Sequence, residues 1–405
     1  MRVPGLAQQA AYSKDVASPP SMTLSVADAV KLGQTRNPLP QEANARVSGA
    51  VARLQSAGAL PNPAISLAHW AGQNTGGLDE DVFLTQTIEI GDRRGQRMRA
   101  AGFERDSTLF DRDQTALDVS LEVKAAYYDA LRSDVDYQVA SELLVITKQF
   151  NDAAKTQYSA GDVARSNVVR SEVEVSRAEQ DVTVTEKQRA DSYSTLRSLL
   201  VVPESTALSL SDKLAFASVS YQLADLEALA LRQRPDLRAE KLTRDSLEAS
   251  VHLAKVQSQP DVVIEYRQFN ANPNDGASIR AGLTWPLMDL GLIRADVASA
   301  RAALKEQDAK LAEATRVAKL EVETALHALD QARKVAESFE TGRIARAKEL
   351  LDMVQTGYDR GASSYLDVLD AQRAYRSEQA DYARALADYN TALATLERAV
   401  GGKLK

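Results

Sequence analysis

SIRAGLTWPL, residues 278–287, sets Ile279, Ala281, Leu283, Trp285 and Leu287 on one side of an extended chain and Ser278, Arg280 and Thr284 on the other. Side chains alternate between the faces of a strand, so the segment has one apolar and one polar surface. VVIEYRQF (262–269) has the same character, and the turn-rich NANPNDGA between the two makes them a β-hairpin. A second pair stands in the first half of the chain: AISLAHW (64–70) and VFLTQTIEI (82–90), joined by AGQNTGGLDED. Strands of roughly 9–11 residues with this alternation match a membrane-spanning barrel, and about eight is the smallest strand number for a single-chain one. Four strands cannot close such a wall, so several copies would have to share it. Periodicity alone leaves a second reading open, in which the hairpins cap a soluble helical rod.

The hairpins belong to a duplication of nearly the whole chain. VADAVKLGQTRNP around Ala27 parallels LADLEALALRQRP around Ala224, aligning Ala27, Asp28 and Pro38 with Ala224, Asp225 and Pro235. EIGDRR faces MDLGLIR, pairing Gly91 with Gly291 and Arg94 with Arg294, and Tyr158, Gly161, Thr195 and Leu196 face Tyr358, Gly361, Thr395 and Leu396. General likeness among Ala-rich helices does not produce matched Pro and Gly punctuation at near-constant spacing.

Helical periodicity fills the rest. Leu117, Leu121, Tyr128, Leu131, Val135, Val139, Leu143 and Ile146 fall at steps of three, four or seven, and Tyr382, Leu386, Tyr389, Leu393, Leu396 and Val400 trace a heptad seam. No proline interrupts residues 95–158, which predicts one helix of about 64 residues, near 96 Å; residues 294–358 repeat it. The expected plan is an extended N-terminal segment, 1–22, and two repeats. Repeat 1 (23–220) holds short helices, the hairpin at about 64–90, a long helix at about 95–157, a tip turn at 158–166 and a return helix at about 166–200. Repeat 2 (221–405) holds short helices, the hairpin at about 262–287, a long helix at about 294–357, a tip turn at 358–364 and a return helix at about 366–400. The short helices after the prolines, 41–59 and 236–257, would stack end to end on the return helices and make up the length of the long ones.

Composition suits this plan. Of 405 residues 44% are apolar but only 5% aromatic and 26% charged, with a mean hydropathy of -0.31, as thin Ala-rich seams require. The absence of cysteine excludes disulfides, thiolate metal sites, cysteine nucleophiles and a lipid-bearing N-terminal Cys in the chain as given. A net charge of -7 without a basic face argues against nucleic acid as a partner. No stretch approaches the roughly 18–20 apolar residues of a spanning helix. The opening MRVPGLAQQAAYSKD lacks the apolar core of a secretion signal, so either the chain is cytosolic or a signal has been removed or omitted. His69, His252 and His327 have no second His or Cys at ligand spacing, and GDRRG (91–95) lacks the Lys-Ser/Thr of a phosphate loop. Neither an enzyme nor a cofactor is expected.

The duplicated order of short helix, hairpin, very long helix and return helix resembles the TolC-type outer-membrane efflux factors over essentially the whole chain. TRNP and RQRPDL are similar to that family's helix-ending proline segments, and YDRGASSYLDVLDAQRAY (358–375) to its helix-tip signature. QTIEIGDRRGQRMRAA (86–101) is similar to the strand-to-helix passage of the CzcC-like branch, which serves heavy-metal efflux. The resemblance implies a mainly α fold with a small β part. Three protomers would build an α-barrel of long antiparallel coiled-coil helices, continued by a 12-stranded transmembrane β-barrel with four strands from each. It also implies an outer-membrane location reaching into the periplasm of a Gram-negative-type bacterium, contact with outer-membrane lipid, and a periplasmic adaptor and inner-membrane RND-type pump as partners. Function would be passive conduction, with heavy-metal cations as cargo and drugs or a secreted polypeptide as the alternative. By the same resemblance Gly161, Gly361, Tyr158, Tyr358 and Arg360 would dock the adaptor at the helix tips. Asp367 and Asp370, three residues apart on one helix face, match the positions that ring the periplasmic aperture. Asn167 and Arg170 occupy the equivalent first-half positions, and Arg170, with Arg165, would pair with the aspartates in a closed state. A soluble coiled-coil scaffold remains the reading from a different class.

Overall fold

The computed structural model describes residues 21–70, 79–269, 274, 276–286, 288–360 and 362–404. Residues 1–20 of the expected extended segment, most of both hairpin tips, Leu287 and Gly361 therefore lie outside the described residues.

Strand β1 (Ser21–Leu24) leads into helix α1 (Val26–Arg36), which begins in a capping box between Ser25 and Asp28. Helix α2 (Pro38–Gly58) starts on a proline, whose missing N–H costs nothing at the first helical position. Strands β2 (Ala64–Trp70) and β3 (Asp79–Glu89) precede helices α3 (Arg93–Ala160) and α4 (Arg165–Leu200). Strand β4 (Ala207–Leu210) then pairs in parallel with β1, a contact that no sequence pattern announced. The second half runs α5 (Leu223–Gln233), α6 (Pro235–Val256), β5 (Asp261–Gln268), β6 (Ala277–Thr284) and α7 (Leu292–Ser338). A π-helical turn (Phe339–Arg343) follows, then α8 (Ile344–Asp359) and α9 (Tyr365–Val400).

That π turn corrects the expectation of two equivalent long rods. Helix α3 is continuous for 68 residues, about 102 Å at helical rise, whereas its counterpart breaks where Gly342 takes φ 104°. Only a residue without Cβ enters this left-handed conformation cheaply, and mid-helix it forces a wide turn. Side chains brace the break against α9. Arg343 bonds Glu378 at 2.8 Å and lies 4.2 Å from the ring centroid of Phe339, which packs in turn on Tyr382. Beyond the turn α8 lies along α9, and none of its described side chains is buried.

The proline segments form a clasp that occurs in both halves. Asn37, extended ahead of Pro38, donates its side-chain amide to the carbonyl of Leu199 at 3.2 Å. Arg234, extended ahead of Pro235, donates to the carbonyl of Ala399 at 3.1 Å. Each short helix thus starts at the open C-terminal end of a return helix, using one carbonyl that the helix cannot satisfy internally.

Each half has its own core at this level. Leu24, Ala29, Val123, Tyr127, Leu196 and Leu200 belong to one, and Leu226, Ala230, Val322, Leu329, Leu396 and Val400 to the other. The heptad seam read on α9 supplies buried Leu386, Tyr389, Leu396 and Val400. On α3 the leucine series is displaced: of the residues named from periodicity only Leu131 is buried, and the buried stripe is Val119, Val123, Tyr127 and Ala130. The reason is that α3 runs between α4 and α9, so it carries two contact stripes and the larger residues flank the buried one.

Candidate functional site

The two hairpins join into one antiparallel sheet in the order β2-β3-β5-β6, with the halves meeting at β3–β5. Residues opposite each other across such a sheet share a face. Ile65, Leu84, Tyr266 and Ile279 form one row; Gln86, Ile264 and Ala281 form the next; Ile88, Val262 and Leu283 form the third. This face has almost no cover within the chain: Ile65, Leu67, Ile279 and Leu283 are 70–78% exposed. Each such side chain is worth about 1.5–3 kcal/mol if removed from water, so the surface calls for an apolar neighbour. The outer edges, β2 and β6, have no strand partner among the described residues.

The opposite face carries charge in cross-strand rows. Glu265 and Arg280 are register partners and bond at 2.9 Å. Arg267 bonds Asp81 at 3.0 Å through Nε, its guanidinium lying 5.5 Å from the Phe83 ring centroid and 4.4 Å from that of Phe269. Glu89 and Asp261 stand opposite one another, and the first turns of α3 bring arginines to both. Arg97 bonds Glu89 at 2.7 Å and Arg93 bonds Asp261. The GDRRGQR segment thus supplies counter-charges to the polar face. Sequence reasoning excluded a phosphate loop here and assigned these arginines no partner. Arg93–Asp261 and Arg267–Asp81 join residues 168 and 186 positions apart, which only the pairing of the two hairpins makes visible.

At the far end of the rods, α3 stops at Gly161, which caps it at φ 89°. Tyr158 is exposed beside it, and Arg360 caps α8 at the other turn. The tips are joined inside the chain: Gln157 donates to the Tyr358 hydroxyl at 3.4 Å, and the Phe150 ring lies 6.1 Å from Tyr358 and 5.4 Å from Tyr365, centroid to centroid. Burial, helped by nearby Tyr358, pushes the Tyr365 hydroxyl up to about 12.

The two aspartates of the tip have different surroundings. Asp367 closes a capping box at the start of α9: Ser364 donates to it from hydroxyl (2.7 Å) and backbone N–H (2.8 Å). Those bonds hold its carboxyl below the usual range. Asp370, one turn on, is exposed and has Arg373 at 3.7 Å. Arg373 also meets Glu174 on α4, and Arg376 meets Glu142 on α3. Asn167 and Arg170 sit in the first turns of α4, with Arg170 exposed. Among the described residues no ion pair within the chain joins Arg165 or Arg170 to either aspartate. Among the residues that tie the helix pairs together here are Phe150, Tyr365, Glu174, Arg373, Glu142 and Arg376. The i, i+3 spacing of Asp370, Arg373 and Arg376 was visible in sequence, but their partners on α3 and α4 were not.

The sequence profile described as outer membrane efflux protein matches residues 30–201 and 226–402, one segment in each half. Nodulation protein T of Rhizobium leguminosarum bv. trifolii is 26% identical over 402 residues, spanning 92% of this chain and 84% of that protein. The cobalt-zinc-cadmium resistance protein CzcC of Cupriavidus metallidurans is 24% identical over 329 residues, 78% of this chain and 75% of that protein. Among solved structures, the outer-membrane channel OprN superposes with a TM-score of 0.76 at 17% identity, covering 93% of this chain and 90% of the other.

Proposed function

Because the chain belongs to the outer membrane efflux protein family, whose members are outer-membrane channels rather than enzymes, we propose that three copies pair their open strand edges into one conduit. Four strands from each give a closed twelve-stranded barrel with the apolar rows toward lipid and the charged rows toward the lumen. The observation that carries this reading is a sheet with one exposed apolar face and two unpaired edges, which neither a monomer nor a soluble scaffold satisfies. The long helices continue the wall as a tube into the periplasm. Cargo passes through without being chemically changed, and an inner-membrane pump supplies the energy through a periplasmic adaptor.

Tyr158, Gly161, Tyr358, Arg360 and, outside the described residues, Gly361 are the proposed adaptor contacts. Asp367 and Asp370 are the proposed aperture residues, with Asn167 and Arg170 on α4 as their proposed first-half counterparts. Three-fold symmetry would bring the Asp370 carboxylates toward one axis, where they attract cations. Heavy-metal cations are the proposed cargo, supported by similarity to a protein named for cobalt, zinc and cadmium resistance. A conduit needs no tight ligand set, since a tight site would slow exit.

Two measurements test the reading. Purified protein in a planar bilayer should conduct, and Asp367→Ala with Asp370→Ala should raise closed-state leak; unchanged conductance and leak remove the aperture assignment. Deletion of the gene should sensitise cells to cobalt, zinc or cadmium. Sensitivity to organic drugs alone would reassign the cargo while leaving the conduit intact.

A further inference from the structure

We infer that the junction between sheet and helices is a charge-balancing collar, in which Arg93 and Arg97 cancel Asp261 and Glu89 and so leave the throat indifferent to the sign of its cargo. The inference rests on the barrel reading above, which turns the charged rows toward the lumen.

Glu89 and Asp261 are direct register partners, so two carboxylates lie side by side on the polar face. Like charges directly opposite in a sheet are destabilising, and the arrangement persists only with counter-charge. That charge comes from one helix face. Arg93 and Arg97 are four residues apart in the first turns of α3. Arg93 reaches Asp261 and, at 3.0 Å, the carbonyl of Gln259, while Arg97 grips both oxygens of Glu89. All four side chains are at most 30% exposed, so these are held pairs and not solvated surface contacts.

The second half does not duplicate the collar. Its helix α7 offers Arg294, which turns back to Asp289 at 3.2 Å. Further along the sheet the same one-to-one matching continues in Asp81 with Arg267 and Glu265 with Arg280. Each of these four carboxylates therefore has its own guanidinium. With two collar pairs per chain, a trimer closes a ring of six carboxylates and six guanidiniums. Removing the guanidiniums leaves the carboxylates facing the lumen alone. Their field reaches about 10 Å at 0.1 M salt and about 30 Å at 0.01 M, so the effect is largest in dilute electrolyte.

The test is the reversal potential of single channels under a dilute potassium chloride gradient. An Asp367→Asn, Asp370→Asn background removes both proposed aperture carboxylates from the readout. The parent should reverse near zero. Arg93→Gln with Arg97→Gln should move the reversal toward the potassium equilibrium potential, a severalfold rise in cation preference. Glu89→Gln with Asp261→Asn should move it toward the chloride potential, and Arg93→Lys with Arg97→Lys should restore the parent value. Identical reversal in all four proteins overturns the collar, as does a shift of the same sign in the two neutralised pairs. Should the glutamine pair fail to insert, the Glu89→Gln, Asp261→Asn pair decides alone: no move toward chloride overturns the inference. A parent that forms no conducting trimer sinks the conduit reading instead, a result distinct from every outcome above.

Discussion

Ile279→Lys and Ser278→Lys are neighbouring changes of identical chemistry on opposite faces of β6, and the barrel arrangement assigns them opposite fates. Ile279 lies in the row with Ile65, Leu84 and Tyr266 and is 78% exposed in the single chain. The next row, Ile264 with Ala281, is the middle one of the three nearest the helices. Two residues of strand span about 6.8 Å, or about 5 Å of depth at a tilt of about 45°, so Ile279 stays well inside a band about 25 Å tall. A lysine there costs about 2–3 kcal/mol per chain, and the lost isoleucine adds about 1.5 kcal/mol more. The penalty of about 4 kcal/mol per chain recurs three times in a trimer. Ser278 faces the polar side beside Arg267, where a lysine remains hydrated and costs under about 1 kcal/mol. Trimer yield in lipid vesicles, read as heat-resistant oligomer on denaturing gels and as conductance, separates the two. Equal yields for both variants, or a greater loss for Ser278→Lys, would refute the assignment of faces.

The clasps should differ in strength between the halves. Arg234→Met breaks bonds to Asp236, Glu321 and the Ala399 carbonyl at once and should cost about 3–5 kcal/mol. Asn37→Ala, at the start of α2, should cost about 0.5–2 kcal/mol; thermal melts of the two variants check the order. At the tip, Asp367 has a folded-state acidity below its ordinary value because Ser364 bonds the ionised carboxylate. Its contribution is therefore full above the ordinary carboxylate range, about pH 4, and is lost as pH falls through the lower folded value. Hydrogen exchange at the first turn of α9 should accelerate in that acidic window, and Asp367→Asn should show the faster exchange already at neutral pH.

Much of this fold was legible because its punctuation is local. Pro38 and Pro235 open helices, Gly91 and Gly291 stand where strands hand over to rods, and alternation marks the strands. What escaped was set by partners far away in sequence. The β1–β4 pair joins residues 186 positions apart, which four-residue strands cannot signal. The π turn hinges on one glycine inside a run whose periodicity is otherwise unbroken, and Gly102 in α3 shows that a helical glycine alone predicts nothing of the kind. The buried stripe of α3 was misplaced because periodicity reveals that a helix has a face, not how many neighbours share it. At the tip, sequence singled out Asp367 and Asp370 as equals; both are exposed, but Ser364 makes only the first part of a helix cap.

The β3–β5 pairing has a consequence for ancestry. It joins the hairpin of one repeat to that of the other by the same kind of antiparallel ladder that β6 and β2 leave free at the outer edges. A half-length forebear with two strands would meet six copies of itself to complete the same circumference, every seam alike. Fusion of two such halves would turn alternate seams into internal ones, where each side is free to diverge. The collar arginines of the first half and the jointed rod of the second are differences of a kind that six identical subunits could never have carried.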